Sequence, residues 1–221
     1  MTDLARPKAV LFDWDGTLVD SFAFLHAAHN FTREKFGFDP LSLDEWSGYF
    51  GQPREKLYAD IYGAENIEEA KKHFEHYVLS NHLEGLKPCA GAGEVLKKLH
   101  ATGIPCGVVT NKKRALVEKE IENFGWDHYF VSVVGAADAE ADKPSPAPIH
   151  LALEKAEIQE PFENVWFIGD TENDLAAANA AGCITVLILP AEEAADLLEN
   201  YKVHLHCKNC TEFYEFLLQY G

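Results

Sequence analysis

Basic residues are scarce in this chain: nineteen Lys and Arg stand against thirty-six Asp and Glu, a formal charge of −17 over 221 residues. Such a field repels nucleic-acid backbones and anionic membrane surfaces, so neither a nucleic-acid polymer nor a membrane is expected as a partner. Long apolar runs are absent as well, none approaching the ~20 residues that a spanning helix needs. The opening Met1-Thr2-Asp3-Leu4-Ala5-Arg6-Pro7 lacks the apolar middle of a secretory signal, and the expected location is cytoplasmic. Cysteines are few and odd in number, five in all, which argues for reduced thiols rather than a disulfide framework. There is no internal repeat and no low-complexity segment. A Gly-x-x-x-x-Gly-Lys-Ser/Thr loop is missing, and Gly91-Ala92-Gly93-Glu94-Val95-Leu96 lacks the last glycine of a dinucleotide fingerprint.

What is present is patterning. The length suits one large domain or a domain with an insert, and 47% apolar residues suit a packed globular core. Apolar runs at 9–12, 107–109, 131–134, 165–168 and 184–189 show no polar alternation, as expected of buried parallel strands. Helical spacing is found at 93–100, 115–124, 148–156, 175–181 and 191–198. Alternating strands and helices predict an α/β doubly wound parallel sheet with ligands outside the carboxyl ends of its strands. Residues 21–87 differ: 22–36, 43–50, 54–61 and 67–83 are helical in period, with no comparable strand between them. The expected organisation is an α/β core from 1–20 and 88–221, interrupted by an all-helical insert at 21–87. Both of its connections fall near the strand ends, as suits a lid that closes over substrate; a rigid helical appendage is the alternative, since periodicity does not encode closure.

Four segments end in polar residues suited to phosphate chemistry. Val10-Leu11-Phe12-Asp13-Trp14-Asp15-Gly16-Thr17 stops an apolar run at two acids two residues apart, and Gly16 lets the backbone turn away. Val108-Val109-Thr110-Asn111 ends on a hydroxyl and an amide, Asp142-Lys143-Pro144 offers a lysine in a proline-stiffened loop, and Ile168-Gly169-Asp170-Thr171-Glu172-Asn173-Asp174 brings a second acid pair. Singly these have bland readings: Thr110 and Asn111 as a helix cap, Lys143 as a solvated charge, Asp170 to Asp174 as a cap for the following helix. In combination they place Asp13, Thr110 and Asp170 on one sheet edge. Asp13, Asp170 and Asp174 converging there would repel by about 4 kcal/mol per pair at 4 Å and an effective dielectric of 20, so a cation is needed among them. Mg²⁺, which takes one or two carboxylates with phosphate oxygens and waters, fits best.

In order and wording the four motifs resemble the haloacid dehalogenase superfamily, in its phosphoglycolate phosphatase and β-phosphoglucomutase-like subgroup, over nearly the whole chain. The resemblance implies a small helical cap and a Mg²⁺-dependent phosphatase acting on a small phosphorylated metabolite, with phosphoglycolate as the leading substrate. It implies that Asp13 attacks phosphorus to form an aspartyl-phosphate and that Asp15 serves as general acid, then base. Thr110, Asn111 and Lys143 would bind the phosphoryl group. The Asp13 carboxylate, the Asp15 carbonyl and Asp170 would hold the metal, with Asp174 behind them. Dehalogenation and phosphonate hydrolysis are disfavoured, since such members lack an acid at the position of Asp15. A sugar-phosphate mutase and a non-catalytic metabolite-binding module remain as alternatives, and the chain is expected as a monomer or homodimer.

Other residues carry weaker signals. Gly51-Gln52-Pro53-Arg54-Glu55-Lys56 resembles a turn that opens a cap helix, so Arg54 or Lys56 could meet a substrate charge; exposed helix-start charges are the alternative. His26 and His29, one turn apart, could line a cleft or belong to a core. His204, His206, Cys207 and Cys210 have spacing that can hold zinc, against an edge strand running into a final helix. Cys106 and Cys183 read as core filler.

Overall fold

The computed structural model describes residues 4–50, 52 and 54–219; Gly51 and Pro53 of the turn considered above, and Met1 to Asp3, lie outside the described residues. The chain divides into two compact units, Met1–Asp20 with Pro88–Gly221, and Ser21–Lys87.

The first unit begins with β1 (Ala9–Phe12), and the chain leaves it after β2 (Val19–Asp20). The second unit holds α1 (Phe22–Lys35), α2 (Leu43–Ser47), α3 (Arg54–Tyr62) and α4 (Ile67–Gly85), and the chain returns through β3 (Lys87–Pro88). The first unit then continues as α5 (Ala92–Ala101), β4 (Cys106–Val109), α6 (Arg114–Phe124), β5 (Phe130–Val134), α7 (Ala147–Lys155), β6 (Val165–Gly169), α8 (Glu172–Ala180), β7 (Ile184–Ile188), α9 (Ala191–Asn200), β8 (Leu205–Cys207) and α10 (Cys210–Leu218).

Six strands form one parallel sheet in the order β5-β4-β1-β6-β7-β8. Leaving out the two-residue β2 and β3, this is the 3-2-1-4-5-6 order of doubly wound α/β proteins. Side chains along a strand alternate between faces. Ala9 and Leu11 of β1 and Val165 and Phe167 of β6 therefore share one cluster with Ile149, Ala152 and Leu153 of α7 and Ala177 and Ala178 of α8. Trp166, on the opposite face, lies tilted against Phe213 and Phe216 of α10. Fully burying each large side chain of this kind contributes roughly 1.5–3 kcal/mol, and both faces of the central strands are used.

Register decides what meets at the strand ends. Phe12 pairs with Val108 on one side and Ile168 on the other, so Asp13 emerges level with Val109 and Gly169, and Thr110 and Asp170 follow one residue later. Asp13 and Asp170 thus flank the point where strand order reverses. The expected strands are all present, with one difference: β5 is buried only at Ser132 and Val134, and its Val131 is 55% exposed, because an edge strand has a neighbour on one side only. α8 begins at Glu172 rather than 175, since Thr171 turns out of the sheet in an extended conformation and serves as its N-cap. α2 ends at Ser47 rather than 50; the N–H groups of Tyr49 and Phe50 both donate to the Trp46 carbonyl, closing turns instead of a further helical turn.

In the helical unit a core of Trp46, Tyr58, Ile61 and Tyr62, with Phe22, Phe36 and Phe74 against it, surrounds His29. The His29 ring lies 4.6 Å from Phe74 and 4.9 Å from Trp46, and its Nδ1 meets the Tyr62 hydroxyl at 2.7 Å. Burial, then Arg54, His26 and Arg33, lowers its pKa to about 3, so it is a neutral core histidine. His26 Nε2 contacts the Leu41 carbonyl at 2.7 Å. Ser42 and Glu45 cap α2 reciprocally. Among the described residues no helix is long and apolar enough to cross a membrane.

Candidate active site

The loop after β1 is tied at both ends. The Asp13 N–H donates to Ile168 at 2.9 Å, and Leu18 and Val19 both donate to the Trp14 carbonyl. Gly16 takes φ +88°, and a Cβ there would land on the Asp170 carboxylate. Only glycine satisfies both constraints. Gly16→Ala is therefore expected to lose about 1–2 kcal/mol from the left-handed backbone alone and, by displacing the Asp170 carboxylate, to weaken any divalent-cation binding by the acid cluster. Thermal melts and a divalent-cation titration check it, and wild-type affinity in that variant would contradict the assignment.

Buried Thr17 turns back to donate to Asp170 Oδ1 at 2.6 Å. Asp13, Asp170 and Asp174 are all buried, and each offers a carboxylate oxygen within 4.8 Å of the others. One lysine stands among them. Lys143 Nζ donates to Asp13 Oδ1 at 2.7 Å, Asp174 Oδ1 at 2.6 Å and the Val109 carbonyl at 2.9 Å, which uses its three donors. Its backbone is clamped by Asn111, whose Nδ2 donates to the Lys143 carbonyl at 2.9 Å while Oδ1 accepts the Lys143 N–H at 3.0 Å. Asp142 accepts from the Ala137 N–H and shapes the same loop.

Three carboxylates against one ammonium leave the cluster two charges negative in a dry setting. The consequence is visible in proton affinity. Burial, then Asp174, raises the Asp13 pKa to about 7, against the opposing pull of Lys143. Burial, then Asp174 and Asp13, raises Asp170 well above the carboxylate range. Burial opposes the Lys143 ammonium, but Asp13 and Asp174 outweigh it and its pKa rises. A group of buried acids with this excess charge is suited to a divalent cation. Both oxygens of Asp174 are engaged, Oδ1 by Lys143 and Oδ2 by the Thr171 N–H and hydroxyl. Asp13 and Asp170 are thus better placed to give oxygens to an ion, with Asp174 holding Lys143. The capping reading of Asp174 is also realised, because those same Thr171 contacts start α8.

Thr110 is buried; its N–H donates to Val134 and its hydroxyl oxygen accepts from the Lys112 N–H, so the hydroxyl proton is not consumed by either bond. Asp15 lies on the same loop as Asp13, and its Oδ1 meets Lys112 Nζ at 3.1 Å. Lys112 was not marked by the sequence, nor was its second partner: Nζ lies 2.8 Å from Glu120 Oε2. Glu120 in turn accepts from Trp14 Nε1 at 2.6 Å. The signal that could have found this pair is an acid on the apolar face of α6, where Leu116, Val117, Glu120 and Ile121 are the buried residues.

The weaker candidates have partners of their own. Lys56 pairs with Asp60 at 2.9 Å and with Gln52 at 2.8 Å on the exposed face of α3, and Arg54 lies over the Tyr58 ring. The zinc spacing does not gather ligands. His204 Nδ1 accepts from the Thr185 N–H, His206 Nε2 meets the Leu189 carbonyl, and Cys210 Sγ donates to the Thr17 carbonyl. Burial, together with nearby acidic groups, pushes the Cys207 and Cys210 thiols up to about 12. All five cysteines are free.

The family description "Haloacid dehalogenase-like hydrolase" matches residues 10–188. A protein of Neisseria meningitidis named "Phosphoglycolate phosphatase" is 34% identical over 187 residues, covering 81% of this chain and 79% of its own. One of Caldanaerobacter subterraneus subsp. tengcongensis, named "Putative pyrophosphatase PpaX", is 32% identical over 194 residues, covering 88% of this chain and 87% of its own. Among solved structures, a haloacid dehalogenase-like family hydrolase of Streptococcus pneumoniae superposes with a TM-score of 0.84 at 26% identity, over 100% of both chains. The match runs from the middle of β1 to the end of β7 and so takes in every segment that supplies the acid cluster, and on that ground this chain is a member of the haloacid dehalogenase-like hydrolase family.

Proposed function

We propose that this protein is a Mg²⁺-dependent phosphomonoesterase acting through a phospho-Asp13 intermediate, with phosphoglycolate as the leading substrate. The observation that carries the reading is the Lys143 ammonium joining Asp13 to Asp174 with Asp170 in the same buried cluster. Relatives named phosphoglycolate phosphatase support the choice of ester.

A phosphate monoester is a dianion with a poor leaving group, so charge must be neutralised, a nucleophile aligned and the departing oxygen protonated. Asp13 attacks phosphorus while Asp15 gives its proton to the leaving alcohol. Water then attacks the aspartyl-phosphate, its proton passes to Asp15, and inorganic phosphate leaves with Asp13 restored. General acid and base help of this kind contributes typically ~10²–10⁴-fold. The Thr110 hydroxyl and the Asn111 N–H donate to phosphoryl oxygens, and Lys143 balances the charge that moves in the transition state. Mg²⁺, held by the Asp13 and Asp170 carboxylates and the Asp15 carbonyl, would supply charge neutralisation at the phosphoryl group. The helical unit, entered just after Asp20 and left just before Pro88, is assigned the choice of substrate.

The test is a phosphate-release panel, with and without Mg²⁺, covering 2-phosphoglycolate, other small esters, a hexose 1-phosphate and inorganic pyrophosphate. Mg²⁺-dependent release is expected, fastest from 2-phosphoglycolate. Absence of release from every compound would overturn the reading, and conversion of the hexose 1-phosphate to its 6-phosphate would replace it with a mutase.

A further inference from the structure

We infer that Lys112 is a positioning residue for Asp15, kept in that task by Glu120 and Trp14; the inference rests on the phosphatase reading above. Asp15 is the least enclosed acid of the site, its side chain 22% exposed, and a carboxylate at a turn has several rotamers open to it. A role as acid and then base requires one of them. Lys112 Nζ, 3.1 Å from Oδ1, selects it. A lysine stem is itself flexible, and its far side is fixed by Glu120 at 2.8 Å. Glu120 sits at 1% exposure on α6 and takes the Trp14 indole N–H at 2.6 Å.

Trp14 is the residue between Asp13 and Asp15, fully buried among Phe124, Trp126 and Phe130. The contacts therefore close a ring, from Asp15 through Lys112 and Glu120 to Trp14 and back along the backbone to Asp15. The loop is held by an indole hydrogen bond to the Glu120 carboxylate of α6 and by an ion pair to Lys112, just ahead of that helix. Stability alone explains this poorly, since a buried ion pair is often matched or exceeded by apolar residues of similar volume, and positions 116, 117 and 121 of the same helix face are apolar. Lys112 is not aimed at substrate, because its ammonium lies between two carboxylates.

The experiment compares Lys112→Met, Lys112→Arg and the charge-neutral double variant Lys112→Met/Glu120→Gln with wild type. The double variant guards against misfolding, as its Gln still accepts from Trp14. With the best ester of the panel, Lys112→Met and the double variant should lose roughly 10–100-fold in kcat, with KM held within about twofold, and Lys112→Arg should recover part of the loss. In crystal structures of the double variant the Asp15 carboxylate should occupy a shifted or divided position. Unchanged kcat overturns the inference, as does a raised KM at unchanged kcat, which would make Lys112 a substrate ligand. An Asp15 carboxylate that stays in its single wild-type position overturns it whatever the kinetics. Should wild type release phosphate from no compound, the phosphatase reading fails, and the crystal structures alone decide whether Lys112 places Asp15.

Discussion

Asp13→Asn should abolish phosphate release, by roughly 10⁴-fold or more, while leaving the protein at least as stable as wild type. The loss follows from the nucleophile's chemistry: an amide cannot form the acyl phosphate, and no neighbouring group substitutes, because Asp170 is bound by Thr17 and both oxygens of Asp174 are in use. The stability half is the less obvious part. A nucleophile that were only a fold element would cost stability on removal. Here burial and Asp174 already resist the Asp13 charge and raise its pKa to about 7, so a neutral isostere relieves a cost that the folded state carries. Lys143 keeps Asp174 and the Val109 carbonyl as acceptors. Melting at pH 8 with chelator present should show Asp13→Asn equal to or above wild type. Activity within tenfold of wild type would remove Asp13 from its role, and a large drop in melting temperature would make it structural.

Stabilisation by Mg²⁺ should be much larger at pH 8 than at pH 5.5. The folded-state pKa of Asp13 lies at about 7 against an ordinary value of 3.8, and Asp170 is raised too. The folded protein thus binds more protons than the unfolded chain between these values. The stability these groups contribute is fully present below about pH 4 and is lost as pH rises through about 7. At pH 8 the ionised Asp13 and Asp170 therefore destabilise the metal-free fold. A divalent cation offsets that repulsion only where the acids are ionised, so the melting-temperature rise on adding Mg²⁺ should shrink as pH falls. Asp13→Asn should flatten this dependence. A Mg²⁺ shift equal at both pH values would separate the ion from these carboxylates.

The strands were legible in the sequence because parallel strands buried on both faces leave unbroken apolar runs; β1 matches its run at both ends. The shared sheet edge of Asp13, Thr110 and Asp170 was legible for the same reason, since each follows the last residue of a strand and the register sets Thr110 and Asp170 one residue beyond Asp13. Lys143 was legible only as chemistry. Its three acceptors come from residues 31 to 130 positions away, a geometry that no local pattern encodes. Lys112 and Glu120 were overlooked because a charged residue beside a phosphate motif and an acid in a helix both read as surface. His29 shows the converse, a polar residue at helical spacing that the aromatic core of its unit absorbs. The Cys207 and Cys210 pair had metal spacing, but β8 and α10 turn both thiols into packing.

Beside the local bonds between Thr171 and Asp174, the acid cluster is built by bonds between segments remote in the chain: Thr17 to Asp170 across 153 positions, Lys143 to Asp13 across 130. Closing loops of that length precedes any reward from the contacts. During synthesis, a polypeptide that has emerged only as far as Lys143 holds a cation and Asp13 but neither Asp170 nor Asp174, and so has no pocket for an ion. On the proposed assignment the acid cluster closes only once β6 and α8 have docked beside β1, and a fragment ending before β6 is expected to release no phosphate.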